Sequence, residues 1–138
     1  VSGDYRILVT GSRSWTDRDA LEWQLGVAVR EAELQGRGVV IVHGACPEGA
    51  DAMADEVAIA NGWKVERHRA NWRKHGRGAG FRRNEEMIAT CPDLVLAFLM
   101  PCTRQACARR SPHPTHGGGH CARRAAEAGI PVREFGGG

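Results

Sequence analysis

No apolar run in the 138 residues approaches the roughly 20 that a membrane-spanning helix needs, so a helical membrane protein is not expected. A disulfide framework is missing too: the five cysteines are odd in number and scattered, in a chain long enough to bury a core without covalent staples. The opening VSGDYRILV lacks the basic segment and long apolar stretch of a secretory signal. Together these absences set the expectation of a reduced, cytoplasmic protein. Strong charge of one sign is also lacking. A net charge of +3 suits an anionic small molecule and is too slight to argue for nucleic acid by itself. There is no internal repeat, and the length fits a single domain over 1–138, with its core over about 5–135, a long loop over 101–117 and a glycine tail over 136–138.

What the chain does have is alternation of short apolar runs with helical patterns, the signature of stacked βα units. YRILVTG, GVVIVHGA, WKVERHRA, DLVLAFLM and IPVREF read as strands. Between the first two, Leu21, Leu25, Ala28, Val29 and Ala32 recur at helical spacing, with Thr16 or Asp17 placed to cap the start. EGADAMADEVAIANG reads as a helix closed by Gly62, FRRNEEMIATC as one ended by Pro92, and GHCARRAAEAG as another. The expected fold is α/β, a Rossmann-like three-layer domain with a mostly parallel sheet of about five strands.

In such a sheet, ligands collect at the carboxyl ends of the strands, where helix N-termini also point. Four connections there carry one kind of chemistry. TGSR supplies Gly11, Ser12 and Arg13; HGACPEGAD supplies His43, Gly44, Gly49 and Asp51; GAGFRRN supplies Arg82, Arg83 and Asn84; THGGGH supplies Thr115, Gly117, Gly118, Gly119 and His120. Glycine lets backbone amides approach phosphate oxygens, a helix N-terminus adds partial positive charge, and arginine offers a bidentate fork. Two arginines near a helix start are otherwise unfavourable, and a bound phosphate would supply the missing negative charge. The loops therefore read as one anion pocket, with Trp72 placed to stack on a base and Trp15 to cover the pocket from the first loop.

These loops resemble those of the SLOG superfamily, a Rossmann-like group that includes the LOG-type phosphoribohydrolases and the DNA-processing protein DprA. RILVTGSRSWTD, VVIVHGACPEGADAMADEVA, ANW, GFRRNEEM and THGGGHCARRAAEAGIPV are most similar to its small single-domain YspA-like branch, and the likeness runs from Arg6 to Val132. The resemblance implies a phosphate-bearing nucleotide or nucleotide-derived ligand, held as by a sensor or sequestering protein. An alternative is cleavage of the N-glycosidic bond of a nucleoside 5'-monophosphate, for which Arg83 and Asp51 are the catalytic candidates. Binding is preferred, because Arg123 stands where the LOG enzymes carry their catalytic glutamate, and Glu127 lies one turn beyond. Binding of single-stranded DNA, as in DprA, ranks third: the charge is small, and the extra modules of DprA are not expected. Superfamily relatives are often dimers, and the Leu- and Trp-bearing helix faces permit a homodimer.

Cys102, Cys107, His113, His116, His120 and Cys121 crowd a short span, yet none of the spacings is a standard zinc pattern, so neither metal nor cofactor is expected. Cys121 is expected to pack under its helix, and Trp23 and Trp63 to serve packing or a subunit contact.

Overall fold

The computed structural model describes residues 3–102 and 116–136. Five strands, β1 (Tyr5–Gly11), β2 (Val39–His43), β3 (Lys64–Arg67), β4 (Leu94–Leu99) and β5 (Val132–Gly136), form one sheet in the order β3-β2-β1-β4-β5. All four pairings are parallel, with Ile7 of β1 opposite Ile41 on one side and Leu94 on the other. The central strands are Val-, Ile- and Leu-rich and buried on both faces, as a parallel sheet sandwiched by helices requires. The expected fold is the one found.

Side-chain alternation sorts the core into two layers. Ile7, Val9, Ile41, Leu96 and Phe98 meet α1 (Arg18–Leu34) and α2 (Ala50–Ala60) on one face. Leu8, Val42 and Val95 meet Met87 of α4 (Ala79–Ala89) and Cys121 and Ala125 of α5 (His116–Glu127) on the other. Asp17 caps α1 by accepting from the Ala20 amide at 3.0 Å, and Gly62, at φ +74°, follows α2 in the left-handed conformation. Cys121 is fully buried, and burial pushes its thiol up to about 11. No helix among the described residues is long and apolar enough to cross a membrane.

The chain moves outward from β1 through β2 to β3, then crosses back over β1 to β4 and β5. Strand order therefore reverses between β1 and β4, and α1 and α5 leave these two strands on opposite faces. This opens a crevice at their carboxyl ends.

Two local structures depart from the sequence reading. Asn71–Gly78 is not a plain loop. Asn71 accepts from the Lys74 amide at 3.0 Å and starts a short helix, α3 (Trp72–His75), which passes into a 3-10 turn at Gly76–Gly78. Its few polar residues carry no periodicity by which to recognise it. Nor is the glycine run a loop ahead of a helix: Gly117–Gly119 lie inside the first turn of α5. Packing overrides glycine's poor helix propensity there. A Cβ on Gly118 would stand 2.8 Å from Leu99 Cδ2 and 3.1 Å from Gly11 Cα, so only glycine lets α5 lie this close to the ends of β1 and β4.

Candidate functional site

Ser12, one residue past β1, stitches the crevice together. Its amide donates to the Phe98 carbonyl at 2.9 Å, its Oγ accepts from the Met100 amide at 2.8 Å, and its carbonyl accepts from the Ala50 amide at 3.2 Å. It is buried, so it orders the β1 and β4 ends as well as standing at the cleft. Gly49, at φ +76°, lets the β2–α2 loop close onto this turn, because a Cβ there would collide with the Ser12 carbonyl.

A cleft of about 430 Å³ opens above these strand ends. One wall is the β1 turn, with Gly11, Ser12 and Arg13; a second is Asp51 and Cys46 after β2. The third is α3, the 3-10 turn and α4, with Trp72, Arg77, Phe81, Arg83 and Asn84, and the fourth is the start of α5, with His116, Gly117 and Gly118. Its size falls within the range of small-molecule sites.

Arg83 lies across the end of β2. Its Nη1 donates to the Gly44 carbonyl and its Nε to Asn84 Oδ1 at 3.0 Å. A side chain on Gly44 would occupy the space the guanidinium fills, so this glycine is the seat of Arg83. Asn84 is buried and joins α4 to α5: its Nδ2 donates to the Gly117 carbonyl at 3.2 Å and approaches His120 Nδ1 at 3.3 Å. Positioning of Arg83 and of the α5 first turn is thereby coupled through one amide group.

Asp51 is the sole carboxylate of the described residues on the cleft wall. Its Oδ2 accepts from the Gly44 amide at 3.1 Å and the Cys46 amide at 3.4 Å, which holds the β2–α2 loop. Burial raises its pKa above the ordinary carboxylate value, opposed by the nearby charges of His43 and Arg83 and by the two amides.

Several residues expected at the pocket stand elsewhere. Trp15 is buried in the core, edge-on to Phe98 with ring centroids 5.3 Å apart, because the turn after β1 folds it inward. His43 faces the β3 side of β2. Its Nε2 is 2.7 Å from Asp55 Oδ2, and its Nδ1 accepts from the Ala45 amide at 2.9 Å, so it orders the loop rather than lining the cleft. Arg82 is exposed, one residue round the helix from Arg83 and off the cleft. Gly119 and His120 line a wider hollow of about 890 Å³ against α5 and β5, and His120 packs on Phe81 with centroids 4.4 Å apart. Thr115, with Cys107 and His113, lies outside the described residues.

Arg123 also lines that second hollow, and Glu127 pairs with Arg124 at 2.6 Å, so neither stands at the cleft. Sequence reasoning missed Arg77 and Phe81. The signal for Arg77 was available: an arginine between Gly76 and Gly78, ahead of a helix, in a segment without acids.

A Rossmann-like α/β domain with an arginine-lined crevice at its switch point is the class that fold and site define. The chain belongs to the YspA, cpYpsA-related SLOG family, whose profile matches residues 5–75. It is similar to the Gene 61 protein of Mycobacterium phage D29, at 40% identity over 136 residues that cover 95% of this chain and 96% of that protein. No solved structure gives a significant match. Family match and site overlap only partly, since Arg77, Arg83 and the α5 glycines lie beyond residue 75.

Proposed function

We propose that the cleft binds a phosphate-bearing nucleotide or nucleotide-derived ligand, in the manner of a sensor or sequestering protein. One observation carries this reading: Arg13, Arg77 and Arg83 share the cleft with a single carboxylate, and none of the three is in an ion pair with an acid of the described residues. Guanidinium forks, backbone amides of a helix start and an exposed Trp72 are together the chemistry of phosphate and base recognition. Family membership supports the same direction. The four free cysteines among the described residues suit a reducing cytoplasm.

A second reading, N-glycosidic cleavage of a nucleoside 5'-monophosphate, has Asp51 as its one carboxylate at the cleft. That carboxylate is occupied in holding two loop amides, which favours binding without turnover. A homodimer would use the outer face of α1, where Trp23 and Leu34 are exposed; sedimentation of a Trp23→Glu variant tests this.

The function is tested by recording the melting temperature with a panel of nucleotides, then analysing the same mixtures by chromatography. Ligand at ~100 times its dissociation constant stabilises the fold by about 2.7 kcal/mol. A shift without product supports binding; released base supports the hydrolase; no shift with any phosphate compound overturns both.

A further inference from the structure

Resting on the nucleotide reading above, we propose that the ligand carries two linked phosphates and that Arg77 is the residue that reads the second of them. The cleft has two cationic poles. One lies where Arg13 and Ser12 face the first turn of α5, and its amides and fork suffice for the three free oxygens of one phosphate. The other lies on the α3–α4 wall. Arg83 has its Nε and Nη1 committed to Asn84 and Gly44, which leaves Nη2 to a ligand. Arg77 lines the cleft with no hydrogen bond or ion pair to any described residue, so its whole fork is available.

The stacking surface stands at this second pole. A Cβ on Gly80 would be 3.5 Å from Trp72 Cη2 and 3.7 Å from Arg83 Nη2, so the indole and the guanidinium flank the same open spot. A base on Trp72 whose nearest phosphate enters the pole at Arg13 and the first turn of α5 therefore leaves a second phosphate to Arg77 and the free Nη2 of Arg83.

Charge along the chain points the same way, independently of the cleft's shape. From Arg67 to Arg83 there is no acidic residue, while Arg69, Arg73, Lys74, Arg77 and Arg82 are cationic and lack an acid partner among the described residues. Nothing within the segment neutralises its potential, which favours an anion of more than one charge at this lip. Both a free nucleoside diphosphate and a diphosphate linking two sugars satisfy this chemistry.

The test is titration calorimetry with mono- and diphosphates of the four common nucleosides and with ADP-ribose, on the full chain and its Arg77→Ala, Arg77→Lys and Arg83→Ala variants. The diphosphate of the preferred base should bind about tenfold more tightly than its monophosphate. Arg77→Ala should bring that ratio within about twofold by weakening the diphosphate far more than the monophosphate, and Arg77→Lys should restore part of it. Arg83→Ala should weaken both. Arg77 is exposed, so an unchanged melting temperature confirms that its variants fold. ADP-ribose binding better than ADP assigns the bridging form, and the reverse assigns the free diphosphate. Equal affinity for mono- and diphosphates in the unaltered chain, or equal loss of both in Arg77→Ala, overturns this inference and leaves the nucleotide reading standing. An oligothymidylate that outbinds every diphosphate also overturns it. No binding of any compound overturns both.

Discussion

Arginines that join distant parts of the chain and arginines on the cleft sit in opposite neighbourhoods. Arg6 of β1 meets Glu66 of β3 at 2.6 Å, Arg37 meets Asp93 at 3.4 Å, Arg124 of α5 meets Glu85 of α4 at 2.6 Å, and Arg133 of β5 meets Glu31 of α1 at 2.8 Å. These pairs tie one element to another. On the cleft, Arg13 and Arg77 pair with no carboxylate of the described residues, and Arg83 is held by two neutral oxygens. The same side chain thus serves as a clamp in one region and as held charge in the other. Keeping guanidiniums together beside helix N-termini is electrostatically uphill, because each repels the others and the helix start is already partly positive. Bulk water relieves this for exposed Arg30 and Arg82; within a cleft an anionic ligand does so more completely.

That contrast is open to attack by substitution. The largest effect should come from Arg83→Ala, which is expected to weaken nucleotide binding by about a hundredfold, the loss of a charge-assisted hydrogen bond of about 3 kcal/mol. Its unfolding free energy in urea should change by less than about 1 kcal/mol. A large loss of stability with little loss of binding would place Arg83 among the clamps. Next comes Gly44→Ala, whose methyl group displaces Arg83 from its seat. It should lower affinity by about tenfold while Asp51 keeps the loop closed, as calorimetry would show.

Arg6→Ala tests the other half of the contrast. Its pair with Glu66 is only partly exposed, so the variant should lose about 1 kcal/mol of stability, with ligand affinity unchanged. A change in affinity would mean that the two classes of arginine are not separate. The pair also has a pH signature. Arg6, and after it His68, holds the Glu66 carboxyl below its ordinary value, so its stabilisation is complete above about pH 5 and is lost as pH falls through the depressed folded-state value.

The smallest expected effect is that of Asp51→Asn. The folded-state pKa of Asp51 is raised, chiefly by burial, so its contribution runs the other way: folded Asp51 holds its proton more tightly than unfolded Asp51, and its ionisation costs stability as pH rises above about 4. An asparagine still accepts from the Gly44 amide and cannot ionise. The variant should be as stable as the parent near pH 4 and more stable than it at pH 7. Thermal melts across that interval would show it, and a destabilised variant at pH 7 would mean that Arg83 and His43 need the charge.

Much of this was legible in the chain. The five strands, the Asp17 cap and the buried face of α1 follow from local periodicity and capping chemistry, which are written in consecutive residues. So does the placement of Gly11, Ser12, Arg13, Asp51, Arg83 and Gly118 near strand ends. Trp15 was not legible, because its side chain is drawn into the core by Phe98, a residue more than 80 positions away. His43 and His120 were not legible either. Each sits beside cleft residues in sequence, yet its partner, Asp55 or Phe81, turns it to a different side. The short helix at Trp72 and the 3-10 turn after it lack a periodic pattern, so the place of Arg77 on the wall passed unseen, while Phe81, in the first turn of α4, was read only as part of that helix.

The sequence by itself determined the order of strands and helices, which end of the sheet carries glycine and arginine, and the shortage of acid between Arg67 and Arg83. These are properties of neighbouring residues and of the 2.0 and 3.6 periods. Tertiary structure alone decided which arginines meet acids, which histidines face the cleft, and that Gly44 and Gly118 are the spaces into which Arg83 and α5 fit. Contacts between residues some 40 to 110 positions apart settle those questions, because charge pairing and close packing depend on distance in space.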